Sequence, residues 1–370
     1  MKKLILVLIL GIASITNFAQ TTNDVLELLI KNKTITQQQA DSVRAEAAIK
    51  QQDVDANKKS FPVSASRLIQ LSGYTQVRYQ FQQQTGQIDG FDIRRARLDA
   101  RGSLTPYFSY FLQTDFAGTP KLIDAYAEIK IHNYLIFTIG QTKIPFSAEN
   151  LAADNKMETI DRSQVVEALT ARGTDVIGNQ NGRDIGVQVG GSFGKIKNRY
   201  LFDYKVGVFN GAGINVADKN ENKDVIGRLV FHPVKGFDFG GSYYTGVGNF
   251  GKPTTTNQDR NRFGIELNYE FKRFFVRGEY IEGKDGAIRR NGWYAQAGYY
   301  LIPAKLQLIT KYDTYEPNTI VANDISTTYL VGGSYSFNNW SRIQAGYTIK
   351  REQGPEIKNN YVTLQYQISF

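Results

Sequence analysis

From Leu71 to the terminal Phe370 apolar and polar residues alternate with a period of two, in segments separated by polar connections. In YVTLQYQISF, Val362, Leu364, Tyr366, Ile368 and Phe370 share one parity, and Thr363, Gln365, Gln367 and Ser369 share the other. RFGIELNYEF sets Phe263, Ile265, Leu267, Tyr269 and Phe271 against Arg262, Glu266, Asn268 and Glu270. RIQAGYTIK sets Ile343, Ala345, Tyr347 and Ile349 against Arg342, Gln344, Thr348 and Lys350. Side chains on a strand point alternately to its two faces, so each segment is a strand with one apolar and one polar face. A strand needs about 9–11 residues to cross a bilayer, and these segments have that length. The mean hydropathy of −0.36 reads as soluble, because averaging hides a two-residue alternation. Abundant Gly, Tyr and Phe (34, 22 and 22) beside two Met suit strands rather than helices.

The connections separate a soluble sandwich from a membrane barrel. SLTP, HN, GKIKN, HPVKG, FKRF, IPAK and FNNW are tight. Between consecutive pairs of them lie longer polar stretches, such as NGAGINVADKNENK, GVGNFGKPTTTNQD and GKDGAIRRN. Alternating short and long connections are the layout of an outer-membrane barrel, with short periplasmic turns and longer outer loops. The fold expected is all-β: a transmembrane antiparallel β-barrel of about 16 strands. The first strand is placed near 70–83 and the last near 360–370.

The start of the chain, MKKLILVLILGIASITNFAQ, has two lysines, a short apolar run and small residues near Ala19. This is a secretory signal peptide over 1–19, since the run is too short for a membrane anchor. Residues 20–60 are read as a periplasmic helical segment and linker, and 61–370 as the barrel. Asn23 is placed as the cap of a first short helix. Thr36 and Gln39 have the spacing of a capping box for a second. The chain has no cysteine, so it is an exported protein without a disulfide framework. A net charge of +9 suits anionic partners, including lipopolysaccharide, while export argues against nucleic acid.

The stretch FDIRRARLDARG places Arg95, Arg97, Asp99 and Arg101 on one face. An arginine on the lipid face at mid-membrane costs about 2–4 kcal/mol, so this face must line the lumen. Arg94, of opposite parity near the outer end of its strand, is expected to snorkel into headgroups. Arg78, Arg183, Lys205, Arg228, Arg277, Lys305, Lys311, Arg342 and Lys350 share the lumenal parity, with Glu128, Glu266, Glu270 and Glu279 diluting their charge. Rings of Arg and Lys favour anions in a pore. Between the fifth and sixth strands, IPFSAENLAADNKMETIDRSQVVEALTARGTDVIGNQN is far longer than an ordinary loop. It is expected to fold inward as a constriction, carrying Arg162 and Arg172 to the lumen. His132 and His232 fall in expected periplasmic turns, away from any Ser–Asp pair, and no Cys or His cluster offers a metal site. The reading is therefore a non-enzymatic pore without cofactor or metal. Rival readings are a non-selective pore and a plugged structural or adhesive barrel.

FDIRRARLDARGSLTPYFSYFLQTDF, IDAYAEIK, FTIGQTKIPFSAEN and the closing YVTLQYQISF together resemble the phosphate-selective porin O and P family, in its Bacteroidetes-type form. The resemblance implies a sixteen-stranded Gram-negative outer-membrane barrel, usually trimeric, with an inward third loop and basic residues guiding anions. Arg95, Arg97, Arg101 and Lys143 lie in the matching stretches. What it implies functionally is passive diffusion of small anionic or polar solutes, phosphate among them. Arg78, Arg162, Arg172 and Arg183 join those four as the expected pore-lining set.

Overall fold

A computed structural model of the chain describes residues 26–32, 34–36, 39, 40, 43 and 68–370, apart from 219 and 252. The expected signal peptide, the Asn23 cap and the 51–60 linker lie outside the described residues. The chain separates into two compact units, Met1–Asp55 and Ala56–Phe370. In the first, residues 26–31 are helical. Thr36 and Gln39 form the reciprocal capping box: the Gln39 amide N–H donates to Thr36 Oγ1 at 3.2 Å, and Thr36 N–H donates to Gln39 Oε1 at 2.9 Å.

The second unit holds sixteen strands among the described residues: β1 (Gln70–Gln82), β2 (Gly90–Ser103), β3 (Phe108–Asp115), β4 (Lys121–His132), β5 (Leu135–Lys143), β6 (Arg183–Ile196), β7 (Arg199–Phe209), β8 (Asp224–Val234), β9 (Phe237–Phe250), β10 (Thr255–Phe271), β11 (Phe274–Asp285), β12 (Ile288–Ile302), β13 (Leu306–Glu316), β14 (Ser326–Ser336), β15 (Ser341–Glu352) and β16 (Tyr361–Ser369). Each pairs antiparallel with its sequence neighbours, and β1 pairs with β16, so the sheet closes into a barrel. At the seam, Gly73 and Phe370 exchange two backbone hydrogen bonds of 2.9 Å. A Cβ at Gly73 would lie 2.3 Å from the Arg97 carbonyl oxygen and 2.6 Å from the Phe370 ring, so only glycine fits there.

Burial is inverted relative to a water-soluble protein. Along β16, Leu364 is 44% exposed while its neighbour Gln365 is 2% exposed. The same holds round the ring, where Val77, Leu98, Ile265 and Val331 face outward and Gln76, Arg97, Glu266 and Gln344 are buried. Apolar exposure on this scale marks a lipid-facing surface. Aromatic clusters flank it towards both rims: Phe193, Phe202 and Phe231 stack at 5.0 Å near the short turns. Trp293, Tyr312 and Tyr329 lie 4.8 and 5.2 Å apart near the opposite rim. Among the described residues no helix is long and apolar enough to cross a membrane; the strands make the crossing.

Two connections differ from expectation. The stretches placed as long loops around 248–259 and 283–291 are mostly strand, because β9 and β10 run on to Phe250 and Thr255, and β11 and β12 to Asp285 and Ile288. The second hairpin then turns in two residues, with Gly286 in the left-handed region that such a turn requires. Their polar residues read as loop because a strand clear of the bilayer has two wet faces and loses its alternation.

Candidate functional site in the barrel lumen

The arginines of β2 enter the lumen in an unexpected count. Gln76 pairs with Arg95 and Val77 with Ile93, so Arg94 is the extra residue of a β-bulge. A bulge lets two consecutive side chains share a face. Arg94 therefore does not snorkel outward: its Nη2 lies 2.6 Å from Asp161 of the long third loop. Parity resumes beyond the bulge, where Asp92 meets Arg78 at 2.5 Å. Below it, Arg97 binds Asp154 at 2.6 Å, Asp115 at 2.9 Å and Gln113 at 3.2 Å. Arg95 lies 3.4 Å from Asp154 and donates to Gln76 Oε1 at 2.9 Å. Arg101, half-buried, donates to Ser72 Oγ at 3.1 Å and stands 3.7 Å from Asp99.

The third loop, 144–182, carries α1 (Ala148–Leu151) and α2 (Gln164–Leu169). It touches the wall along two arcs. Towards β1, β15 and β16, its backbone carbonyls accept from inward glutamines: Asp154 O from Gln76, Asn155 O from Gln367 at 3.2 Å and Glu158 O from Gln344 at 2.9 Å. Towards β11 and β13, Glu279 accepts from the N–H groups of Ala148 and Glu149 at 3.2 and 2.6 Å, and Lys311 binds Glu149 at 2.7 Å. Val165, Val166, Ala168 and Leu169 of α2 then pack with Phe209, Ile226, Tyr244, Ile281 and Tyr294 of the wall. This second foothold is apolar.

The remaining expected cations are placed as follows. Arg162 binds Asp154 and donates to the carbonyls of Glu149 and Ala152 at 3.0 and 2.9 Å. Arg172 is buried on Asn150, donating to Oδ1 at 2.7 Å. Arg183 forms a two-pronged pair with Asp124 at 2.9 and 2.7 Å. Lys143 donates to the carbonyls of Leu151 and Ala152 at 3.1 and 2.7 Å, satisfying the open end of α1. Arg95, Arg97 and Arg162 thus converge on one carboxylate, while Arg183 and Arg101 stand apart from them. Arg260 and Arg262 are further functional candidates, both 2% exposed. Arg260 binds Asp175 of the loop at 3.1 Å, and Arg262 binds Asp285 at 2.6 Å. Their shared parity with Glu266 and Asn268 was the available signal.

Inside the loop the charges shift one another's protonation. Burial alone would raise the Asp154 carboxyl, but Arg162, Arg95 and Arg97 overcome it and hold it well below its ordinary range. Arg94 and Arg78 lower Asp161 in the same way against burial, and Lys311 lowers Glu149. Burial first, and Arg162 next, disfavour the charge of Arg172.

A cavity of about 280 Å³ opens between α1 and the wall, lined by Glu158, Arg228, His232, Asp238, Arg277 and Gln296 among others. His232 is thus not in a turn. It lies on β8 with Nδ1 2.6 Å from Asp238 and Nε2 3.1 Å from Asp203, which also accepts from Ser192 at 2.5 Å. A serine and an aspartate are therefore close to it after all. The serine bonds the aspartate rather than the imidazole, which is not the arrangement that activates a nucleophile. His132 ends β4 and stacks on Tyr134 at 4.9 Å. Among the described residues no group of His, Cys, Asp and Glu has metal-holding geometry.

Solved porins share this architecture. The chain is similar to Salmonella typhi OmpF in complex with daunomycin, with a TM-score of 0.61 at 11% identity over 84% of this chain and 100% of that one. It is similar to the outer membrane channel DcaP of Acinetobacter baumannii, at 0.58 and 12% over 84% and 100%. OmpT of Vibrio cholerae, folded in vitro in its trimer form, gives 0.57 and 13% over 82% and 99%. No curated protein matches the sequence. Residues 69–247, from the start of β1 into β9, match the sequence model described as phosphate-selective porin O and P, and over that stretch the chain is similar to this family.

Proposed function

We propose that this porin passes small polar solutes down their gradients with a preference for anions, phosphate or similar. The observation that carries the preference is a set of lumenal cations without a carboxylate partner among the described residues. Lys205 is exposed with no hydrogen bond, Lys143 meets only carbonyls, and Arg342 meets only Gln367. With Arg101 they form the surface on which a passing anion exchanges water for loose, multiple contacts, weak enough to release it. Arg78, Arg95, Arg97, Arg162, Arg172 and Arg183 supply field rather than direct contact, since each is held by a side chain at 2.9 Å or closer, whereas Arg101 and Arg342 have no side-chain partner nearer than 3.1 Å among the described residues. The third loop acts as the constriction. The periplasm takes the short-turn rim and the N-terminal helical segment, the outer loops face lipopolysaccharide, and the assembly is a homotrimer.

The test is reversal potential in asymmetric KCl across a planar bilayer. A potential of the anion-selective sign supports the preference, and a cation-selective sign removes it while leaving the pore. Absence of any conductance favours the plugged barrel instead. A second reading, a non-selective pore, is favoured by the pairing of Arg228 with Glu266 and of Arg277 with Glu158. It predicts a potential near zero.

A further inference from the structure

Asp154 stands where three guanidinium groups from two separate elements meet. From β2, Arg97 reaches its Oδ2 at 2.6 Å and Arg95 its Oδ1 at 3.4 Å, and Arg162 of the loop bonds that same Oδ1. Its side chain is 1% exposed. The planar N–H forks of arginine fit any flat or tetrahedral oxyanion, and nothing in their geometry distinguishes a side-chain carboxylate from a dissolved one. We propose that the Asp154 carboxylate is the built-in occupant of an oxyanion site formed by Arg95, Arg97 and Arg162, and that it sets how strongly the pore favours anions. This rests on the reading of the barrel as a conducting pore.

The charge inventory gives the direction. Three guanidiniums face two carboxylates here, Asp154 and the Asp115 that binds Arg97 at 2.9 Å. Removing Asp154 leaves Arg97 with Asp115, Arg95 with only the Gln76 amide oxygen, and Arg162 with only backbone carbonyls. Buried positive charge without a counter-charge is costly. An anion of carboxylate size taken from solution relieves it.

The experiment compares the full-length porin with Asp154→Ala and Asp154→Asn in planar bilayers. Alanine vacates the position, whereas asparagine fills it without charge. Both variants are expected to raise the anion-to-cation permeability ratio at least twofold. In Asp154→Ala alone, millimolar formate should return that ratio towards the parent value along a saturating curve, with phosphate competing. A wild-type ratio in both variants, or a larger conductance at unchanged selectivity, would overturn the proposal by reducing Asp154 to a mechanical tie. Should Asp154→Ala fail to assemble, an unchanged ratio in Asp154→Asn overturns it equally. A parent protein that does not conduct sinks the pore reading instead, which keeps the two failures apart.

Discussion

Arg97 and Leu98 are adjacent in the chain and meet opposite solvents. Arg97 is 4% exposed and held by two carboxylates, while Leu98 is 40% exposed on the outer face. Leu98→Arg should therefore lower the stability of the membrane-inserted barrel by about 2–4 kcal/mol, measured as a shifted denaturant midpoint during refolding into lipid vesicles. Arg97→Gln acts by another route. It leaves Asp154 and Asp115 short of a counter-charge, so the loop should be loosened, read as noisier single-channel current with little change in the barrel's midpoint. At this scale parity carried most of the information, since it sent Arg95, Arg97 and Arg101 inward from the sequence alone. It misplaced Arg94 because a bulge adds one residue without leaving a mark in a two-residue period. It left the partner carboxylates of the loop unidentified, because they come from residues some sixty positions away.

Among the elements, β2 and the third loop are the informative pair. The bulge makes the residue count of β2 tolerant at one place and intolerant a few residues on. Deleting Arg94 should preserve the register on both sides, since its neighbours already pair with adjacent residues of β1. Deleting Leu98 should turn one half of the strand inside out. Heat-modifiable mobility on a gel, the usual sign of a closed barrel, is expected for the first deletion and absent for the second. The loop announced itself by length, and its docking had a further sign that was open to reading. Ile226 and Ile281 are apolar residues at lumenal parity. An apolar side chain on the wet side of a barrel wall needs a lid, and α2 provides it. What the sequence withheld was which wall each half of the loop would meet, because that depends on the curvature of the closed ring.

For the molecule as a whole, the acids of the loop determine its behaviour in acid. Asp154, Asp161 and Glu149 all have carboxyls lowered from their ordinary values in the folded state. A lowered carboxyl contributes stability above its unfolded value and loses it only as pH falls through the lowered one. The contribution of these three carboxyls to loop docking should thus be unchanged between pH 7 and about 5, where ordinary carboxylates are still ionised. It should be lost only in stronger acid, seen as the onset of closures in single-channel records. The strands themselves, joined by backbone bonds that do not titrate, should persist. The seam between Gly73 and Phe370 has a consequence of its own. Because the ring is completed by the pairing of β1 with β16, from Tyr74 opposite Ser369 to Gln82 opposite Tyr361, no product of synthesis that lacks β16 can be this cylinder. Until β16 is made there are two bare strand edges, on β1 and β15, each able to accept a stranger's backbone. Biogenesis must shelter both edges at once and join them in a single late event.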